Sequence, residues 1–211
     1  MSLPGPAAEP HSIPGPAGSL EALLEVPVVP ALTGCAVICH PHPQHGGTMH
    51  NKVVHTLARA LQEQGLASLR FNYRGVGASA GSYDEGVGES ADALAAVAWM
   101  RARHPLLPLT LAGFSFGGVI ALRICAAAAP ARLITVAPAV SRLSAAGVPR
   151  PACPWLLVQG LADDVVDPDE VRRWAGGFEP PPELALLPGV GHFFHGALHQ
   201  LKDAVLVQRL D

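Results

Sequence analysis

Leu109-Thr110-Leu111-Ala112-Gly113-Phe114-Ser115-Phe116-Gly117-Gly118 decides how the rest of the chain is read. A short apolar run, a Gly-x-Ser-x-Gly turn and an Ala-rich helical pattern from about Gly117 to Ala129 follow one another without a break. Such a turn lifts its serine out of the sheet and aims the next backbone N–H into the same cleft, beside the positive end of the helix. Gly113 and Gly117 are required by a turn too tight for a Cβ opposite the helix. Ser115 is therefore the candidate nucleophile. The same spacing recurs at Gly77-Ala78-Ser79-Ala80-Gly81, after the polar, glycine-broken Asn72-Tyr73-Arg74-Gly75 and with no helical apolar pattern behind it. Ser79 reads as an ordinary loop serine.

Outward from this turn, strands and helices alternate. Upstream, Cys35–Cys39 is a continuous apolar run of the kind buried on both faces of a parallel sheet, and it leads into His40-Pro41-His42-Pro43-Gln44-His45-Gly46-Gly47. Apolar residues at Val54, Leu57 and Leu61, closed by Gly65, predict a helix over Asn51–Gln64; Leu66–Phe71 is the next strand. Gly88–Arg103 reads as a helix with Glu89 and Asp92 near its start and His104-Pro105 at its end. Downstream come strands at Leu133–Val136, Trp155–Gln159 and Leu184–Leu187, a helix around Pro168–Trp174 and a closing helix from Gly196 to Leu210. At the front, Ile13–Ala17 and Leu20–Val26 form a hairpin around Pro-Gly-Pro-Ala-Gly turn chemistry, with Pro27 and Pro30 favouring a sheet edge. Residues 1–12, rich in Pro and Ala, read as a loose tail. The expected architecture is α/β: a mostly parallel central sheet of about seven to eight strands, an N-terminal hairpin at one edge, and helices on both faces.

With 211 residues, 49% of them hydrophobic, the chain can bury one core and is short for two, so residues 1–211 read as a single domain. A net charge of −3 gives no reason to expect a nucleic-acid partner. No apolar run suits a membrane span, and Met1–Pro10 has neither a basic start nor an apolar stretch, so a cytoplasmic protein without a membrane partner is expected. Cys35, Cys39, Cys125 and Cys153 read as buried free thiols; on one strand the first two lie about 13 Å apart, beyond bridging distance.

A serine hydroxyl needs a base, and the base needs an acid to set its tautomer. The strand Trp155–Gln159 runs into Gly160-Leu161-Ala162-Asp163-Asp164, which makes Asp163 the candidate acid with Asp164 as alternative; Asp167 and Asp169, around Pro168, read as helix caps. Pro188-Gly189-Val190-Gly191-His192 sets His192 in a glycine loop where it can reach both, while His195 and His199 fall at or in the last helix. The order Ser, Asp, His is the one that accompanies a Gly-x-Ser-x-Gly elbow in a parallel sheet.

On these residues the chain resembles the α/β-hydrolase superfamily from Ile13 to Asp211. His40-Pro-His-Pro with Gly46-Gly47-Thr48-Met49, Phe71-Asn72-Tyr73-Arg74-Gly75 and Gly113-Phe-Ser-Phe-Gly-Gly are similar to small bacterial members related to esterases and dienelactone hydrolases. The resemblance implies a serine hydrolase acting on carboxylic esters of small molecules through Ser115, Asp163 and His192, with a peptidase, amidase or thioesterase as alternatives on the same residues. A non-catalytic binding protein on the same fold is the reading from another class. No cofactor is implied.

Two amides are needed for the oxyanion. Phe116 supplies one by the elbow geometry; the other falls to His42, since Pro41 and Pro43 have no N–H, with Gln44 as the alternative. Pro41 stands where the related His-Gly-x pattern has glycine. Histidines 40, 42, 45, 50 and 55 invite a metal reading, but prolines and glycines interleave them and the loop already has a role, so no metal is expected. Asn72, Tyr73 and Arg74 read as supports of their loop. Phe114, Phe116, Phe193 and Phe194 are expected around the site, favouring modest acyl or aryl groups, and the short connection after Val136 leaves little for a lid.

Overall fold

The computed structural model describes residues 8–142, 145 and 147–208. Its strands form one eight-stranded sheet in the order β1-β2-β4-β3-β5-β6-β7-β8. The centre is built from β3 (Gly34–Cys39), β4 (Leu66–Phe71), β5 (Leu109–Phe114), β6 (Arg132–Val136) and β7 (Trp155–Gly160), each wholly buried. These strands pair in parallel, as does the outer β8 (Glu183–Leu187) with β7. Continuous apolar runs suit strands covered on both faces, which is why Cys35–Cys39 does not alternate.

Among the described residues five α-helices cover the sheet: α1 (Lys52–Glu63), α2 (Val87–Arg103), α3 (Phe116–Ala128), α4 (Pro168–Ala175) and α5 (Leu198–Val207). Helices α1 and α5 pack on one face around Val54, Leu57, Ile134 and Leu201; α2, α3 and α4 pack on the other around Val97, Val119, Leu157 and Val171. Helix α1 is capped by Asn51, whose side chain accepts from the amides of Val53 and Val54, and α4 by Asp167, which accepts from Asp169. The closing helix begins at Leu198, two residues after Gly196, and the expected end of that helix lies outside the described residues.

The N-terminal hairpin is longer than its composition suggests. β1 (Ala8–Gly15) pairs antiparallel with β2 (Gly18–Glu25) across a Pro16-Ala17 turn, and β2 joins the rest of the sheet through β4. Residues 8–12 therefore belong to the sheet, where a loose tail was expected; residues 1–7 lie outside the described residues. Pro10 and Pro14 are tolerated because β1 is an edge strand and its outer side owes no ladder hydrogen bonds. At the β2–β4 junction Arg70 and Glu25 form a buried ion pair at 2.8 Å, and Arg70 also donates to the Met49 carbonyl.

Strand order reverses at β3. The chain leaves β3 to one side for β4, crosses back through α2 and continues from β5 in the opposite direction. Loops leaving β3 and β5 consequently diverge, and a crevice opens between them at the C-terminal edge of the sheet. The β6–β7 connection, residues 137–154, contains no helix or strand among its described residues, so it supplies no helical lid among them.

Candidate active site

Ser115 occupies the sharp turn between β5 and α3 with φ 55° and ψ −115°, a backbone region that a side chain enters only when its surroundings force it. Here the forcing contacts are explicit. The Ser115 amide donates to the Val136 carbonyl at 2.9 Å, and the Ser115 carbonyl accepts from the amides of Gly118 and Val119. A Cβ at Gly113 would lie 2.1 Å from the Gly117 carbonyl oxygen, and one at Gly117 would lie 2.3 Å from that of Cys39. The side chain reaches the floor of a cleft of about 480 Å³, where 8% of the serine remains exposed.

His192 meets it from the loop after β8. Its Nε2 stands 3.1 Å from Ser115 Oγ, and its Nδ1 stands 2.8 Å from Asp163 Oδ2. With Nδ1–H donating to the carboxylate, Nε2 is left as the acceptor for the serine hydroxyl. Asp163 follows β7 and is fully engaged: Oδ1 accepts from the amides of Val165 and Val166, and Oδ2 also accepts from Gln159 Nε2. Burial opposes its ionisation, but the hydrogen bonds from His192 and the Val166 and Val165 amides hold its carboxyl below the usual carboxylate range. Asp164 is exposed, and His195 and His199 lie on the surface.

Opposite Ser115 the loop after β3 contributes His42, His45, Gly46 and Gly47 to the cleft wall. The His42 imidazole is held at both ends, accepting from the Gln44 amide at Nδ1 and standing 3.2 Å from Tyr83 Oη at Nε2. The Gln44 amide is thereby occupied. His40 is not in the cleft: its Nδ1–H donates to the Pro41 carbonyl and its Nε2 accepts from the Tyr73 amide, and burial pushes its pKa down to about 3. Asn72 and Arg74 are loop supports as expected. Asn72 bridges the Met49 amide and the Glu21 carboxylate, and Arg74 forms a two-toothed contact with Asp92. Ser79, the second Gly-x-Ser-x-Gly serine, accepts from the Glu21 amide and donates to the Asn72 carbonyl.

Two of the expected substrate-facing phenylalanines are elsewhere. Phe114 and Phe194 are completely buried in the cluster beneath α1 and α5, and Phe114 lies with its ring 5.0 Å from that of His192. The elbow at Ser115 ends β5 at Phe114 and starts α3 at Phe116, so the two rings go to different sides, and Phe194, with a φ of 53°, faces inward. Phe116 and Phe193 do line the cleft, Phe193 at 49% exposure. Tyr83, Ala139, Arg142 and Val165 also line it and were not anticipated. The last three come from loops just beyond β6 and β7, so the rule that ligands bind at the C-terminal edge could have nominated them; Tyr83 carried no signal. Arg142 donates to the Val165 carbonyl across the cleft wall. Among the described residues no aspartate or glutamate lines the cleft.

A serine at a strand–helix elbow, at a crevice where parallel strand order reverses, defines the α/β serine hydrolase class. Residues 42–152 match the family model described as serine aminopeptidase, S33. The protein RP471 of Rickettsia prowazekii (strain Madrid E) is 31% identical over 90% of this chain and 84% of its own. Among solved structures, XC6422 from Xanthomonas campestris, an α/β serine hydrolase without lid, aligns with a TM-score of 0.90 and 42% identity over 97% of this chain and 94% of that one. An α/β serine hydrolase homologue from Coxiella burnetii aligns equally well, at 40% identity over 98% and 99%. The chain belongs to the α/β-hydrolase superfamily, in the serine hydrolase family that this model describes.

Proposed function

We propose that this chain is a carboxylic-ester hydrolase that works as a single domain through an acyl-enzyme on Ser115. The observation that carries the reading is the continuous hydrogen-bonded line Ser115–His192–Asp163 at the base of an open cleft. His192 Nε2 takes the Ser115 proton as Oγ attacks the ester carbonyl; Asp163 stabilises the imidazolium; His192 then protonates the leaving alcohol. A water activated by the same nitrogen releases the acid. No cofactor enters this scheme.

The negative charge that develops on the carbonyl oxygen is met by the amides of Phe116, at the positive end of α3, and His42. Gln44 is the weaker choice because its amide already serves His42 Nδ1. Each such donor is worth about 3–4 kcal/mol of transition-state stabilisation.

Lining chemistry separates the ester reading from the aminopeptidase reading that the family description raises. An aminopeptidase must hold a protonated amine, which calls for acidic or otherwise well-placed acceptors, and the described cleft wall bears Arg142 and no carboxylate. Neutral small-molecule esters with modest acyl or aryl groups fit better, against Phe116 and Phe193. The four cysteines, free and buried, suit a reducing compartment, the cytoplasm.

The test is reaction with a fluorophosphonate probe, Ser115→Ala alongside, followed by p-nitrophenyl esters of graded chain length and free-amine aminoacyl anilides. Labelling of wild type alone, with esters turned over and anilides inert, is the expected outcome. A folded wild type that resists the probe would refute the reading.

A further inference from the structure

Cys125 and Cys153, distant in sequence, line one open cavity of about 320 Å³ on the side of the molecule away from the Ser115 cleft. Cys125 is on α3, near its C-terminal end, and Cys153 closes the 137–154 connection just before β7. The two thiols lie near enough for each to shift the ionisation of the other. The Arg150 guanidinium stands alongside, held by the carbonyls of Pro180, Pro151 and Cys153. Cys35 and Cys39, by contrast, are fully buried in β3.

We propose that Cys125 and Cys153 are a peroxide-reactive thiol pair that closes to an intramolecular disulfide. A shared open cavity gives a small oxidant a route to both residues, which are 4% and 8% exposed. The neighbouring thiol and cation favour thiolate on Cys153: the Cys125 thiol, working against burial and helped by the Cys153 backbone amide and Arg150, lowers it below the usual thiol range. Cys125 is shifted upward and stays protonated.

The Cys153 sulfur attacks one oxygen of hydrogen peroxide, the O–O bond breaks, and hydroxide leaves to take a proton from solvent. This yields a sulfenic acid. Cys125 loses its proton, its sulfur attacks the sulfenic sulfur, and the S–O bond breaks to release hydroxide, which that proton converts to water. Two thiols and one peroxide thus become a disulfide and two waters. The bond joins α3, whose first residue carries the Phe116 amide, to the connection that carries Ala139 and Arg142 into the cleft.

The reduced full chain is treated with hydrogen peroxide, blocked with N-ethylmaleimide and mapped without reductant by mass spectrometry. The expected product links the peptides bearing Cys125 and Cys153, disappears with dithiothreitol, and exceeds any linkage involving Cys35 or Cys39 by about tenfold or more. In Cys125→Ala, or Cys125→Ser should the first fold poorly, dimedone captures a sulfenic acid on Cys153. Wild-type protein whose Cys125 and Cys153 remain maleimide-labelled after peroxide, or whose Cys153 goes to sulfinic acid with Cys125 still free, overturns the proposal.

Discussion

Asp163 accepts the Nδ1–H of His192 at 2.8 Å through one carboxylate oxygen and commits the other to the amides of Val165 and Val166. The carboxylate is thus locked by its own loop before it orients the imidazole. Asp163→Asn keeps the size and removes the charge, and one amide face then opposes a donor. We expect kcat on esters to fall about 10³–10⁴-fold, as it does when a triad acid is neutralised, with KM little changed. A loss under tenfold would show that His192 is oriented by something else.

The second Gly-x-Ser-x-Gly serine separates motif from mechanism. Ser79 ties the Glu21 amide to the Asn72 carbonyl, so Ser79→Ala leaves one part-buried and one buried backbone group without this partner. The expected cost is about 1–3 kcal/mol in urea-unfolding free energy. Fluorophosphonate labelling of the folded variant is expected to stay at the wild-type level, because the proposed nucleophile is Ser115.

Gly117 tests the close approach of α3 to the loop after β3. An alanine there puts its Cβ 2.3 Å from the Cys39 carbonyl oxygen and 2.4 Å from that of His40, and backbone cannot swing aside as a side chain can. Gly117→Ala is expected to lower stability by about 1–3 kcal/mol or more, read as a lower Tm, and to depress kcat by separating the Phe116 and His42 amides. Wild-type Tm and kcat together would contradict the packing described.

Acid sensitivity follows from His40. Burial pushes its pKa from the ordinary 6.5 down to about 3, so unfolding takes up a proton between those values. Its contribution to stability is complete above pH 6.5 and is lost as pH falls toward 3, by about 1.4 kcal/mol per pH unit within that window. Asp163, also shifted downward, acts in the same direction in the more acidic range below its ordinary value. His40→Gln can still accept from the Tyr73 amide; it is expected to flatten the decline of the urea midpoint from pH 6 to pH 4 by one proton's worth. Parallel pH profiles for the two proteins would sink this account.

Much of this protein was determined locally. The alternation of apolar runs with helical periods announced parallel strands and covering helices, because a strand buried on both faces must be apolar at every position. Ser115, Asp163 and His192 were each legible because each follows a strand at the sheet's C-terminal edge, so position along the chain already implied a common side of the molecule. Side-chain direction was another matter. Phe114 and Phe116 are two residues apart, but the elbow between them sends one ring under α1 and the other into the cleft. Phe194, beside the exposed Phe193, turns inward through a positive φ that composition does not encode. Tyr83, Arg142 and the Cys125–Cys153 pair depend on which distant segments the reversed strand order brings together, and edge-strand pairing places residues 8–12 in the sheet despite Pro10. Periodicity is a property of neighbouring residues and survives in the sequence; contact between distant loops is set by packing, and only the assembled sheet decides it.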